Sequence, residues 1–276
     1  MGGLGNQLFQ YAVGRHLAIK NGTQLVFDTT AYIEDVKRVY SLGNFKIVGD
    51  VSTVDFAKAT MPLSFKDKLF YKGPKLTTFN EKYFQFDPEV LQHKDNQYLN
   101  GYWQSYKYFD DIRPQILEEF ALKEALSPED EALRQEIANC NSVCLHVRRG
   151  DYVASSVTNQ YHGTCSPEYY TKGVEIIKSK FKDPHFYVFS DDIAWATENI
   201  IPDKEVKYVD HGAAKDFVDF TLMHTCKHFI TANSSFSWWA AWLANNEGKT
   251  VITPEKWFND SPNDTKDLRP ENWLKI

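Results

Sequence analysis

The densest chemistry in the chain lies in His146-Val147-Arg148-Arg149-Gly150-Asp151-Tyr152. Two adjacent guanidiniums give permanent positive charge and fork-shaped donors that match phosphate oxygens. The preceding Ser142-Val143-Cys144-Leu145 is apolar and partly β-branched, which reads as a short buried strand running to residue 147. In an open α/β sheet, the loop beyond a strand's carboxyl end is where ligands bind. The plainer reading is a surface Arg–Asp ion pair closing a turn at Gly150, worth roughly 0–1 kcal/mol.

Two more polar loops follow apolar runs. Ser190-Asp191-Asp192 comes after His185-Phe186-Tyr187-Val188-Phe189, and Asn233-Ser234-Ser235-Phe236-Ser237 after His228-Phe229-Ile230-Thr231. The serines stand just before a helix, where free N–H groups and the positive dipole end make an anion site. Taken alone, Asn-Ser-Ser is simply a helix cap. Asp191 and Asp192 could accept from the amino and ring N–H groups of a base such as guanine. They could equally hold Mg²⁺ with help from substrate phosphates, or cap the next helix. Arg148 and Arg149 already bring the positive charge a metal would supply, so no metal is expected. The opening Gly2-Gly3-Leu4-Gly5-Asn6-Gln7 is not the dinucleotide fingerprint, whose glycines are spaced differently. Gly3 and Gly5 still permit close backbone approach, and Asn6 offers a donor and an acceptor. Tyr102, Trp103, Trp238, Trp239 and Trp242 read as core residues rather than sugar platforms.

These loops need a sheet to hold them. The Gly-rich loop runs into a helix over Leu8–Lys20, ended by Asn21-Gly22, and Gln24–Phe27 makes a strand closed by Asp28. This is the loop–helix–strand rhythm of a parallel α/β unit. Such a loop is normally fed by a strand, so either the start lies upstream or the first sheet lacks its expected first strand. Residues 30–95 show no sustained period. Gln97–Trp103 is strand-like, and a helix is expected over Tyr106–Phe120 with an interruption at Pro114. Ser127-Pro128-Glu129-Asp130 is a helix start, with serine as cap and acids at the positive end. The domain change is set there, giving 1–127 and 128–276. The second half predicts strands at 142–147, 185–189, 206–209, 228–231 and a last one at 250–253. Its helices are expected from Ser166 to about Phe181, Lys215 to Cys226, and Trp238 to Asn245. All three polar loops then open on one edge of a single parallel sheet.

Composition narrows the partners. The chain has 276 residues, 42% of them apolar, with 19 Phe, 15 Tyr and 7 Trp, enough for two cores. A net charge of −6 argues against nucleic acid, which needs a broad basic surface. No apolar run approaches the roughly 20 residues of a membrane span. The first residues lack the basic end and apolar core of a signal peptide, so a cytoplasmic protein is expected. Cys140, Cys144, Cys165 and Cys226 form no Cys-x-x-Cys pair and read as reduced core thiols.

Together these segments resemble the bacterial inverting α-1,2-fucosyltransferases. The matching parts are Gly2 to Ala12, Gly101-Tyr102-Trp103-Gln104-Ser105, His146 to Tyr152, Phe189-Ser190-Asp191-Asp192, and Asn233 to Trp239. Spread in this order over nearly the whole chain, the set is highly specific. The resemblance implies an α/β, GT-B-like fold of two Rossmann-like domains facing a cleft. Domain 1–127 would be mainly on the acceptor side, and 128–276 would bind GDP-fucose. It implies Arg148 on the β-phosphate, with His146 and one of Asp191 or Asp192 toward guanine and ribose. Ser234, Ser235 and nearby backbone would contact phosphate, and Asn6 would stand near the sugar. Arg149, Asn233, Gly3 and Gly5 complete the expected donor set. The reaction implied moves L-fucose to the 2-hydroxyl of a galactose-terminated oligosaccharide or glycolipid, with inversion to an α-1,2 linkage. No cofactor and no metal are implied, GDP-fucose being a co-substrate, and a peripheral position at the membrane is compatible. Some distant relatives carry a glutamate shortly after the Arg-Arg-x-Asp segment, where this chain has Tyr152-Val153-Ala154-Ser155-Ser156. Asp151 is therefore the candidate base, with a β-phosphate oxygen as the alternative. Two other classes stay open on the residues alone. One is a Mg²⁺-dependent phosphate-processing enzyme using Asp191 and Asp192, the other a non-catalytic GDP-sugar-binding protein.

Overall fold

A strand buried on both faces needs helices on both sides of its sheet. β5 (Ser142–Val147), buried at all six positions, organises the second half of the molecule in this way. The computed structural model describes residues 1–34, 38–52, 54–56, 76–154, 160–259 and 261–276. Around β5 lie β6 (His185–Ser190), β7 (Lys207–Val209), β8 (His228–Ile230), β9 (Val251–Thr253) and β10 (Leu274–Lys275). Their order is β10-β9-β8-β5-β6-β7, and every pair is parallel. β10 was not expected; two exposed residues carry too little pattern to announce a strand.

The two faces of β5 follow from the alternation of its side chains. Val143, Leu145 and Val147 join one core with Tyr170, Val174 and Ile177 of α5 (Pro167–Lys180) and Ala196 of α6 (Ile193–Asn199). On the other face the Tyr187 hydroxyl donates to Glu136 of α3 (Pro128–Asn139) at 2.8 Å. There too Phe236 of α8 (Ser235–Leu243) lies 5.7 Å from Phe220 of α7 (Asp216–Thr225), ring to ring. Trp238 and Trp239 are fully buried, as expected of core residues. Each such ring buries about 150–250 Å², a gross gain of about 4–6 kcal/mol before entropy. Tyr102, by contrast, is 42% exposed.

The expected caps are in place. Ser127 accepts from the Asp130 N–H at 3.1 Å and opens α3, and Ser166 accepts from Tyr169 N–H and opens α5. α8 begins at Ser235, three residues before the expected Trp238, because Ser234 rather than Ser237 is its cap.

In the first half, α1 (Leu4–Asn21) starts earlier than expected. Gly3 is its N-cap, so Gly5, Asn6 and Gln7 occupy the first turn instead of a loop. Gln7 compensates for the weak helix formers: its amide donates to the Val39 carbonyl at 2.7 Å and accepts from Ser41 N–H at 2.9 Å. Gly22 ends the helix with φ 64°, the left-handed C-cap that favours glycine. β1 (Val26–Asp28) pairs parallel with β2 (Asp50–Ser52), and β3 (Thr77–Asn80) with β4 (Gln97–Asn100). Among the described residues these are two separate two-stranded sheets. The strand expected to reach Trp103 stops at Asn100, where Trp103 takes φ 58°. Pro114 sits in the first turn of α2 (Arg113–Glu119) and so starts a helix rather than interrupting one.

The chain forms two compact units, Met1–Lys123 with Asn263–Arg269, and Glu124–Pro262 with Pro270–Ile276. Residues 263–269, expected in the second domain, thus count with the first. Among the described residues no helix is long and apolar enough to cross a membrane.

One clamp in the second unit makes stability depend on pH. His211 Nδ1 lies 2.6 Å from Asp219 Oδ1 of α7, and Nε2 lies 2.8 Å from Asp130 Oδ1 of α3. Burial works against the charged ring, but the two carboxylates outweigh it and its pKa stands above the ordinary value. A histidine raised in this way adds stability that is complete below its unfolded value near 6.5 and fades as pH rises through the folded value. His211→Asn is therefore expected to lower Tm clearly at about pH 6 and much less at about pH 9. Equal losses at both would show that the clamp works without charge.

Candidate functional site

Three strands end side by side where the order of the second sheet reverses. The chain runs outward from β5 through β6 to β7, then returns on the other side of β5 with β8. A reversal of this kind opens a crevice beyond the carboxyl ends of the strands, the usual ligand position in such sheets. The loops there carry Arg148-Arg149, Asp191-Asp192 and Asn233-Ser234, as the sequence pattern required.

Asp191 holds the arginine segment. Its Oδ2 lies 2.8 Å from Arg148 Nη1, and its Oδ1 accepts from the Arg149 backbone N–H at 2.8 Å. The register sets Val147 opposite Ser190, which brings the residues just beyond each strand together. Gly150 permits the contact, since a Cβ there would stand 2.6 Å from Asp191 Oδ2. Arg149 points elsewhere. Its Nε lies 3.3 Å from Asp192 Oδ2, and its Cζ is 3.8 Å from the centroid of the Trp195 ring, a cation–π stack. The other oxygen of Asp192 caps α6 by accepting from Trp195 N–H at 3.2 Å. Of the three roles left open to the two aspartates, the structure displays helix capping, by Asp192, and it adds their hold on Arg148 and Arg149.

His146 is 4% exposed, near the end of β5 on the face shared with Phe236. Burial pushes its pKa down to about 3, with Asp191 opposing and Arg148 adding to the shift. Its Nδ1 has no hydrogen-bond partner among the described residues. The ring is therefore a neutral imidazole, able to donate or accept without changing charge near neutral pH.

Ser234 caps α8, accepting from Phe236 N–H at 3.3 Å, and Ser235 opens the helix. The first-turn N–H groups and positive dipole end of α8 thus lie beside Arg148's loop in the order of the sheet, a setting suited to anionic oxygens. Asn233 serves otherwise. Its Nδ2 donates to the carbonyls of His162 at 2.9 Å, Gly163 at 3.2 Å and Trp257 at 3.2 Å. That side chain ties two distant segments, at 162–163 and at 257, to the end of β8. Asp151 lies in α4 (Gly150–Ala154), and its side chain falls outside the described residues. Tyr152 of the same helix stacks on His162 at 4.8 Å and donates to the Asn233 carbonyl at 3.3 Å.

In the first unit, Asn6 is the third residue of α1. Its Oδ1 accepts from Gln104 Nε2 at 2.8 Å, and Gln10 of the same helix donates to the Gly101 carbonyl at 3.0 Å. Glu81 accepts from Tyr102 N–H at 2.8 Å and Trp103 N–H at 2.9 Å. Burial raises its pKa while those two bonds pull it down. The Gly101–Ser105 segment is thereby pinned to the start of α1. Gly3 and Gly5 lie in that start, Gly5 buried in the first turn.

Glu81 and Trp195 are the contributors that reading the sequence missed, while Gln104 entered only as part of the Gly101–Ser105 segment. Trp195 had a signal, standing three residues after Asp192 in a helix. Glu81 had none, since it sits in the unpatterned stretch before residue 95.

Comparison with known proteins places this geometry. The chain is 32% identical to an alpha-1,2-colitosyltransferase of Escherichia coli, over 100% of this chain and 96% of that protein. It is 28% identical to galactoside alpha-(1,2)-fucosyltransferase 2 of Rattus norvegicus, over 95% of this chain and 70% of that one. Among solved structures, fucosyltransferase NodZ from Bradyrhizobium superposes with a TM-score of 0.53 at 15% identity, over 87% of this chain and 89% of that chain. That likeness is one of fold, and it agrees with the α/β, GT-B-like class expected from the sequence. The pattern of glycosyl transferase family 11 matches residues 1–276, and with that match and the full-length relative in hand, the chain belongs to this family and is a glycosyltransferase.

Proposed function

We propose that the protein transfers L-fucose from GDP-fucose to the 2-hydroxyl of a galactose-terminated acceptor, with inversion to an α-1,2 linkage. The observation that carries this reading is Arg148, held by Asp191 at the switch point of a parallel sheet whose next strand over, β8, leads into the N-terminus of α8. As the C1–O bond breaks, the electron pair leaves with GDP and negative charge grows on the β-phosphate. A fixed guanidinium and helix N–H groups stabilise that charge without having to reorganise. We assign Arg148 to the β-phosphate and Ser234, Ser235 and their backbone to the phosphates. Neutral His146 is assigned to the nucleoside side. Arg149, Asp191, Asp192 and Asn233 hold these groups in place. Asp151 takes the proton of the acceptor hydroxyl as the new bond forms. The acceptor side belongs to the first unit, with Asn6 fixed by Gln104 and by the helix start at Gly3 and Gly5. The names of the relatives support the linkage and the galactoside acceptor.

The test is GDP release from GDP-fucose across a panel of galactose-terminated acceptors, with the product linkage read by NMR. GDP binding without turnover on any galactoside would leave a sugar-nucleotide binder instead. The 32% identity to a colitosyltransferase favours one second reading, that the sugar moved is colitose. Comparing kcat/KM for the two activated sugars decides between them.

Activity is expected to persist in EDTA, because arginine rather than Mg²⁺ neutralises the leaving diphosphate. Complete loss in chelator, with rescue by Mg²⁺ or Mn²⁺, would reassign Asp191 and Asp192 to a metal.

A further inference from the structure

Arg148 and Arg149 are equipped alike. Each guanidinium has beside it one carboxylate from the loop after β6 and one aromatic ring. For Arg149 these are Asp192 at 3.3 Å and Trp195 at 3.8 Å. For Arg148 they are Asp191 at 2.8 Å and Tyr152, whose ring centroid lies 5.5 Å from Arg148 Cζ. That spacing is inside the roughly 6 Å over which a ring face attracts a cation. The carboxylate meets the guanidinium at one edge, through Nη1, and the ring meets it over its face. Contacts from two directions confine a long side chain more than either does alone.

The Tyr152 ring is itself held. Its hydroxyl donates to the Asn233 carbonyl at 3.3 Å, and its plane lies within 10° of the His162 ring, centroids 4.8 Å apart. Asn233 closes the circuit, because its Nδ2 donates to the His162 carbonyl at 2.9 Å. One residue at the end of β8 thus fixes both the tip of the tyrosine and the backbone of the histidine it stacks on. His162 is packed in turn by Tyr161, nearly perpendicular at 4.8 Å, and by Phe258 at 5.5 Å. The Asn259 N–H donates to the Tyr161 carbonyl at 2.9 Å, which joins the two aromatic segments through their backbones. All of these residues belong to the second unit. Tyr152 and His162 are only half-buried, so apolar burial alone does not account for their stacking.

Resting on the assignment of Arg148 to the leaving diphosphate, we propose that Tyr152 is a positioning residue for that arginine. Its ring face, fixed through His162 and Asn233, holds the guanidinium in the orientation that meets the phosphate oxygens. The charge that grows on departing GDP is stabilised well only by a cation already in place. β6 and β8 flank β5 on its two sides. Asp191 ties the arginine to the first of these strands and Tyr152 ties it to the second, so its position is referenced to both neighbours of its own strand. A ring that merely packed the loop would matter for stability with or without Arg148. A positioning ring matters for turnover only while the guanidinium is there.

The experiment makes Tyr152→Leu and Tyr152→Phe in the full chain, each alone and combined with Arg148→Met. Turnover of GDP-fucose and GDP affinity by calorimetry are measured for all of them. Tyr152→Leu should lower kcat/KM roughly 3- to 30-fold, the range of a lost cation–π contact. The loss should fall on the same parameter, kcat or KM, that Arg148→Lys moves. Tyr152→Phe keeps the ring and gives up only the hydroxyl, so it should recover most of that loss. With Arg148→Met present, Tyr152→Leu should cost no more than about twofold in either measurement. An undiminished loss there, or a phenylalanine as poor as leucine, makes Tyr152 a prop for its loop and overturns the proposal. ¹⁵N NMR of the Arg148 guanidinium, without nucleotide, adds a readout independent of activity. Rotation about Nε–Cζ should be slow in the unsubstituted protein and faster in Tyr152→Leu. Fast rotation in the unsubstituted protein overturns the proposal even where a variant does not fold. If rotation responds to Tyr152 while Arg148→Lys leaves kcat/KM untouched, the positioning stands and the assignment of Arg148 to the diphosphate falls.

Discussion

Replacing Arg148 by lysine is expected to lower kcat/KM at least about tenfold, although the charge is kept. In the proposed role the guanidinium serves two partners. One donor, Nη1, is committed to Asp191 at 2.8 Å, and that contact fixes the plane of the group. On the proposed reading the fork, so oriented, also addresses the diphosphate. A lysine ammonium sits at one point, so it can serve Asp191 or the diphosphate but not both with the same geometry. Losing one charged hydrogen bond costs about 1.5–3 kcal/mol, and each 1.4 kcal/mol is about a factor of ten in rate. The fall should appear mainly in kcat if the lost bond forms as GDP departs, and mainly in KM if it already holds the donor. A lysine variant with nearly unchanged kcat/KM would remove Arg148 from the phosphate.

The largest effect is expected from Asp151→Asn. A lost general base typically costs about 10²–10⁴ in kcat, and the amide keeps the size of the side chain while being unable to take the acceptor's proton. GDP affinity, measured by calorimetry, should survive. The two readouts separate three mechanisms. If Asp151 only orients an arginine, GDP affinity falls together with turnover. If a β-phosphate oxygen accepts the proton, kcat drops far less than that range. Only a steep fall in kcat at unchanged GDP affinity supports the base.

How much of this was legible depended on how local each signal is. β5 announced itself because a strand buried on both faces is apolar along its length, and Ser127 and Ser166 announced helices because a cap acts within three residues. The polar ends of β5, β6 and β8 were readable for the same reason, and parallel pairing then brought them together. β2 and β3 were harder, being only three or four residues long, too short for an alternation to establish itself. The opening glycines looked like a loop because glycine disfavours helix. What reverses that preference is Gln7, whose amide bonds to Val39 and Ser41, more than thirty residues away. The role of Asn233 was hidden for a similar reason, its acceptors lying on His162, Gly163 and Trp257. A side chain spent on distant carbonyls looks, in sequence, no different from one reserved for a ligand.

Gly150 has a consequence for anyone wishing to re-engineer the donor preference. Because a single added carbon there would meet Asp191 Oδ2 at 2.6 Å, the loop after β5 and the loop after β6 share one small volume. Randomising residue 150 while holding Asp191 fixed would force that carboxylate to move in every variant that adds a side chain. The two loops are better exchanged between family members as a matched cassette, so that each new arginine loop arrives with the carboxylate shaped to receive it.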